Sequence, residues 1–259
     1  MIGCMLRSRP NFPTAMHLRV TRTLFLLALL TSVCVASPAF GQGRIVTQNL
    51  PNFDLHRFHF GFLLSYNNSD FHMKLKPGAL ATDSLLSVDH VRSPGFNLGI
   101  VASYNMSNNF SLRFLPTLSF QDRVLQYDFL RLDSTVADFD KPVESTYLEF
   151  PLHVKFRSNR INNFAVYMFA GGKMSIDMAS KKDVNNAIDD EVVVKLEKYD
   201  YSVDMGAGVD MFLPYFKFGI ELKHSVGIPN LIVDDGTKFS APIESLRSKV
   251  WVLTFTFEG

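Results

Sequence analysis

Cysteine is almost missing from this chain: of 259 residues only Cys4 and Cys34 carry a thiol, and both fall in the first forty positions. The remainder has no disulfide framework, no thiol nucleophile and no thiolate metal site. Acidic residues are missing from those same forty positions, which hold Arg7, Arg9, Arg19 and Arg22. From residue 41 onward the chain carries 22 basic and 25 acidic residues, a balance that gives no electrostatic reason to expect a nucleic-acid partner. Beyond residue 41 no stretch holds ~18 uninterrupted apolar residues, so no helix is expected to cross a bilayer. Helical periodicity is nearly absent after residue 50. There is no P-loop, dinucleotide fingerprint, metal-ligand cluster or nucleophile elbow, and neither a cofactor nor a small-molecule substrate is expected.

The N-terminal segment reads as an export signal. Arg19 and Arg22 form a basic lead, Thr23–Val35 an apolar run, and Ala39-Phe40-Gly41 a small-residue cleavage site before Gln42. The apolar run is too short to span a bilayer core of ~30 Å as a helix. Residues 1–41 are therefore expected to be a cleaved signal peptide. A start at Met16 would give it ordinary length and make residues 1–15 an over-extended frame. Thr31-Ser32-Val33 is a poor lipid-attachment sequence, so Cys34 reads as a small apolar residue. Residues 42–56 are expected to form a periplasmic N-terminal segment, in which Asn49–Asp54 is a docking segment, a plug or a tether. Residues 57–259 are expected to form the main domain.

Two-residue alternation fills that domain. In Thr146–Phe156 one face carries Thr146, Leu148, Phe150, Leu152, Val154 and Phe156, and the other Tyr147, Glu149, Pro151, His153 and Lys155. The same dyad occurs at Phe58–Tyr66, Phe96–Tyr104, Phe110–Phe120, Phe164–Ile176, Tyr199–Leu213, Phe216–Leu222 and Trp251–Glu258. Leu125, Tyr127 and Phe129 extend the strand at Phe110–Phe120 after a change of face near Asp122. The expected connections, 67–94, 105–109, 131–144, 157–163, 178–198, 213–215 and 224–248, alternate long and short. Eight antiparallel strands with that rhythm predict an all-β, up-and-down transmembrane barrel of the outer-membrane type, with long outer loops and tight periplasmic turns. Both termini then lie in the periplasm. A Greek-key sandwich gives no reason for such a rhythm.

A bilayer supplies no water to strand edges, so a sheet there must close on itself. The rich apolar faces are expected to meet outer-membrane lipid. Tyr66, Tyr104, Tyr199, Tyr215 and Trp251, near strand ends, suit the interfacial belts. Eight strands leave a lumen that side chains fill. Arg113, Glu149, His153, Lys155, Lys173, Asp204, Asp210, Lys217 and Glu221 are expected to meet there as a structural charge network, with Gly171, Gly206, Gly208 and Gly219 making room for them. The expectation is a plugged barrel without catalytic or metal-binding residues. His72 and His90, with Asp70, Ser84, Asp89 and Ser93 in the first long loop, are the nearest approach to a hydrolytic set; they read as a solvated loop. His153, between Glu149 and Arg157, reads as a paired lumen histidine. Asp189-Asp190-Glu191 and Asp234-Asp235-Gly236 lack the ligand spacing of a Ca²⁺ loop.

Several strings resemble one family in particular. Asn49–Phe71, Pro94–Phe120, Glu144–Arg157 and Asn162–Ser180 are similar to the PorT family (SprT in gliding bacteria), outer-membrane barrels of Bacteroidetes associated with the type IX secretion system. Pro94-Gly95-Phe96-Asn97-Leu98-Gly99 and Tyr147-Leu148-Glu149-Phe150-Pro151 are the most particular. The resemblance spans about residues 49–257 and implies a non-enzymatic part in exporting proteins with a C-terminal secretion signal, such as secreted proteases or gliding adhesins. It implies other type IX components as partners and contributes no catalytic motif. The alternative is a stand-alone structural or ligand-binding barrel of the OmpA or OmpX kind.

Overall fold

A computed structural model of the chain describes residues 48–78, 85–130, 136–179, 194–237 and 239–259. The chain divides into residues 1–46 and 47–259, and every described residue belongs to the second unit. The signal segment 1–41, both cysteines, Ser84 and the acidic run 189–191 lie outside the described residues.

Nine strand segments occur in order: β1 (Phe58–Leu75), β2 (Leu85–Asn105), β3 (Phe110–Phe114), β4 (Thr117–Leu130), β5 (Val136–Arg157), β6 (Phe164–Asp177), β7 (Tyr199–Phe212), β8 (Lys217–Gly227) and β9 (Ile243–Glu258). All pairings are antiparallel, and β1 pairs with both β2 and β9, which closes the ring. Segments β3 and β4 are two parts of one stave. Pro116 has no N–H to give the ladder, yet the register runs through it unshifted. Phe114 faces Ala102 and Leu152, and Thr117 faces Gly99 and Glu149. The ring therefore has eight staves, one of them interrupted.

Its lower part, where the termini meet, is apolar outside and polar within. Phe58, Phe60, Phe62, Val166 and Met168 each leave more than half their surface exposed, while Arg113, Ser119, Asp204, Asp210 and Thr256 are 0 % exposed. This is the arrangement that lipid demands. Water outside would drive those phenylalanines inward at ~25 cal/mol per Å².

The connections are shorter than the alternation predicts. The expected loops 67–94, 131–144 and 224–248 are largely strand, leaving 76–84, 131–135 and 228–242 between elements. The strict long-short rhythm is lost at 131–135. The alternation fades there because the environment changes along the stave. The expected change of face near Asp122 does not occur: Thr117, Ser119, Gln121, Arg123, Leu125 and Tyr127 all point inward on one unbroken face. What changes is the interior, from polar to apolar.

Above the last β1–β2 pair, Ser69 with Ser93, those two strands part. β1 continues beside β9, and β2 beside β4, which pairs with β5. The two ribbons enclose a core of Phe71, Leu85, Val88, Leu125, Tyr127, Ile243 and Leu246, joined by Val194, Leu196, Leu231 and Phe239 from the connections. Outward positions on the β1–β9 ribbon of this cap are charged, among them His72, Lys74, Arg247 and Lys249. On β2 and β4, Leu86, Val91 and Leu130 are exposed beside charged residues. The cap has the soluble pattern, apolar inside and polar outside, stacked on a ring with the opposite one. On β1 the outward reversal falls between Tyr66 and Asn68, and on β9 between Trp251 and Lys249.

Candidate functional site

The inward faces of the eight staves form a layered lumen. At its floor Lys217 Nζ donates to Glu258 Oε2 at 2.6 Å, and Arg113 bonds the Glu221 carboxylate while its second Nη lies 3.5 Å from Glu258 Oε1. Tyr167 donates its hydroxyl to Glu221 at 2.8 Å. Lys155 donates to both Asp210 oxygens, at 2.9 and 3.1 Å, and its ammonium sits 3.4 Å from the Tyr167 ring centre. One level up, His153 Nε2 lies 3.0 Å from Asp204 Oδ2, Ser225 donates to Asp204 at 2.6 Å, and Lys223 Nζ stands 3.5 Å away. Lys173 donates to Glu149 at 2.8 Å. Each ion would be costly alone at this depth, and each has an opposite charge within reach.

These nine charged positions share the lumen, but further members come from outside the expected set. Glu258, Lys223, Arg123, Asp200 and Asp177 are all buried and point inward. Their parity is visible in the dyads; the long-range partners that hold them are not. The neighbours expected for His153, Glu149 and Arg157, are replaced by Asp204, two strands away in the same row with Gly171 between them. Arg157 turns instead to Asp54, at 2.7 Å.

The glycines make room for charged and aromatic side chains alike. A Cβ on Gly171 would meet the His153 ring at 2.9 Å, and one on Gly219 the Asp210 carboxylate at 3.3 Å. A Cβ on Gly206 would meet the Phe169 ring at 2.6 Å, and one on Gly208 the Tyr167 ring at 2.6 Å. The lumen is not uniformly polar either, since Leu63, Val101 and Leu115 form a small apolar cluster within it.

Both ends are covered. At the floor the chain before β1 folds back over the opening: Phe53 stacks on His59 with centroids 3.8 Å apart and meets Phe212 edge-on at 5.8 Å. Asn49 N donates to Asn163 Oδ1 at 2.9 Å, and Asn49 Nδ2 to Phe212 O at 3.0 Å. Arg160 lies over the Phe212 ring at 3.8 Å and donates to the Asn49 carbonyl. At the top Arg123 marks the transition, its guanidinium bonded to Gln121 and lying 4.6 Å from the Phe71 ring centre and 5.5 Å from that of Tyr147. Above it the cap core closes the bore.

In the cap Tyr127 donates its hydroxyl to Phe239 O at 3.0 Å, and burial pushes its pKa well above the ordinary phenol value. The candidate hydrolytic residues fall on strands instead of a loop. His90 Nε2 lies 3.2 Å from Asp70, which Arg92 also binds at 2.8 Å, while His72 is on β1 opposite Arg247. Asp235 accepts from Thr237 and Ser240, and Lys76 at 3.0 Å, with the Gly236 N–H, holds exposed Asp234 below the usual carboxylate range. Among the described residues no group of three or more His, Cys, Asp or Glu is placed to hold a metal ion. The motif strings line the wall: Gly95 packs against Asn67, and Asn97 accepts from Asn67 at 2.5 Å and from Ser119 at 2.7 Å.

No curated protein matches the chain. Solved structures with similar folds include OprG from Pseudomonas aeruginosa (TM-score 0.47, 11 % identity, 78 % of this chain and 95 % of that one). Neisserial surface protein A is similar at TM-score 0.41 and 10 % identity, over 76 % and 96 % of the two chains. Ail of Yersinia pestis, solved with the heparin analogue sucrose octasulfate, is similar at TM-score 0.36 and 15 % identity, over 79 % and 100 %. The family model described as "Outer membrane protein beta-barrel domain" matches residues 40–233, about three quarters of the sequence. The chain belongs to the outer membrane protein beta-barrel domain family.

Proposed function

We propose that this outer-membrane barrel is a non-enzymatic, non-conducting scaffold that works as a stand-alone structural or ligand-binding element through its cap. The observation that carries this reading is the closed floor of the lumen. Arg113, Asp210 and Thr256 have no exposed surface, and His59, Ser103, Lys155, Tyr167 and Glu221 on the other staves are buried with them. A bore of that kind passes no solute. In a planar bilayer the mature protein is expected to give no conductance steps; stable, ion-carrying steps would overturn the reading. The residues before 42 are its cleaved export signal, and both termini face the periplasm. Asp234→Cys should therefore react with a membrane-impermeant thiol reagent on intact cells, while Asn159→Cys should not.

A narrower reading, an accessory role in type IX secretion with other components of that system as partners, rests on the PorT-like strings at 94–99 and 147–151. Their inward side chains, Asn97 and Glu149 among them, are buried in the wall, while Phe96 and Leu98 are exposed on the lipid face, where a partner would meet them. A deletion strain separates the two roles. Loss of secretion of C-terminal-signal proteins supports the narrower one, and unchanged secretion removes it.

A further inference from the structure

On one flank of the barrel the outward reversal is also a reversal of charge. Trp251, 46 % exposed, and Tyr66, 53 % exposed, end the apolar outer faces of β9 and β1. The next outward positions on β9 are Lys249 and then Arg247, paired in register with Asp70 and His72 of β1. Asp70 is already engaged by Arg92 at 2.8 Å and His90 at 3.2 Å, and Lys74 pairs with Glu244 at 2.6 Å. No described carboxylate forms an ion pair with Arg247 or Lys249. Val226 of β8, next to Lys249 in the ladder, is exposed and uncharged.

We propose that Arg247 and Lys249 bind a phosphate group of a lipid headgroup in the leaflet at the cap end. With the orientation proposed above, that leaflet is the outer one and the ligand a phosphorylated glycolipid. Depth and charge identify the occupant. Indole and phenol groups rest at the interface between acyl chains and headgroups, so the row above Trp251 stands at headgroup level. Cations one and two rows beyond such a girdle, neither of them in an ion pair with a described carboxylate, complement phosphates there. The spacing is suitable as well. Alternate residues on one strand face lie ~7 Å apart, so a lysine and an arginine can reach one phosphate from two sides.

Trp251 is the chain's only tryptophan and adjoins the proposed site, so its emission reports occupancy directly. The folded mature chain in zwitterionic detergent is titrated with bis-phosphorylated lipid A, with the same lipid after dephosphorylation, and with inorganic phosphate. Saturable binding is expected for the phosphorylated lipid alone. R247Q/K249Q should weaken it by about fivefold for each residue changed, roughly 25-fold in all. Arg160→Gln, at the opposite end, should leave it unchanged. Equal binding of the dephosphorylated lipid, saturation by inorganic phosphate, or undiminished affinity in R247Q/K249Q would each overturn the proposal. The wild-type titrations decide the first two even where the double variant does not fold. A wrong membrane orientation would show in the thiol labelling and leave these titrations unaffected.

Discussion

Arg113 shows how a single side chain is held at the centre of the molecule. It has no exposed surface and reaches Glu221 and Glu258, which in turn hold Tyr167 and Lys217. Removing a buried charge strands its partners, and the damage exceeds the net worth of the pair. Arg113→Met should therefore destabilise the barrel by about 3–5 kcal/mol in urea unfolding from lipid vesicles. R113M/E221Q should recover part of that loss, and full additivity of the two changes would contradict the coupling. Tyr127 gives a prediction in pH. Its raised folded-state pKa means that it keeps its proton when the unfolded chain would lose it. The resulting stability is fully present below about pH 10, the unfolded phenol value, and is lost as pH rises above it. Tyr127→Phe should abolish that alkaline loss and, by removing the bond to Phe239 O, lower stability at neutral pH by about 1 kcal/mol. At this scale the dyads reveal which residues face inward. They do not reveal pairs such as His153 with Asp204, because β6 lies between the two strands and only the register that sets Gly171 between them lets their side chains meet.

At the scale of elements, each stave passes from lipid to water, and its sequence changes meaning on the way. Along β4 the inward series Thr117, Ser119, Gln121 and Arg123 gives way to Leu125 and Tyr127 with no bulge in its pairing with β5. Read as sequence, the shift of apolar residues to the other parity looks like a new face or a strand end. That explains why the hairpins above the membrane are hidden in expected loops. The floor plug is legible only as one of three alternatives, since Asn49–Leu55 has no periodicity and is fixed by His59 and, far along the chain, by Phe212 and Asn163. Phe53→Ala should release it locally. Hydrogen exchange of the Leu55 and His56 amides should accelerate, while the unfolding midpoint of the barrel stays where it was. A joint loss of plug and barrel would make the plug part of the folding unit instead.

For the whole molecule, two opposite solutions to burial share one closed sheet. In the bilayer the ring hides charge and shows hydrocarbon; above it the ribbons hide hydrocarbon and show charge. Closure satisfies the backbone in the ring, above which β1 and β2 part into ribbons with edges in water. The reversal at Trp251 and Tyr66 locates the membrane boundary on the cap side. This all-β ring of eight staves is legible from composition and alternation, because period two and an apolar face survive without any knowledge of partners. The cap is not, because it depends on the solvent around each residue. A nitroxide scan along β9 from position 244 to 257, in lipid vesicles, tests the reversal most directly. The account predicts that labels at 253, 255 and 257 are relaxed by lipid-dissolved oxygen, those at 247 and 249 by a water-soluble nickel chelate, and those at 252, 254 and 256 by neither. Oxygen relaxation at the even positions, or chelate access to 253 and 255, would contradict it.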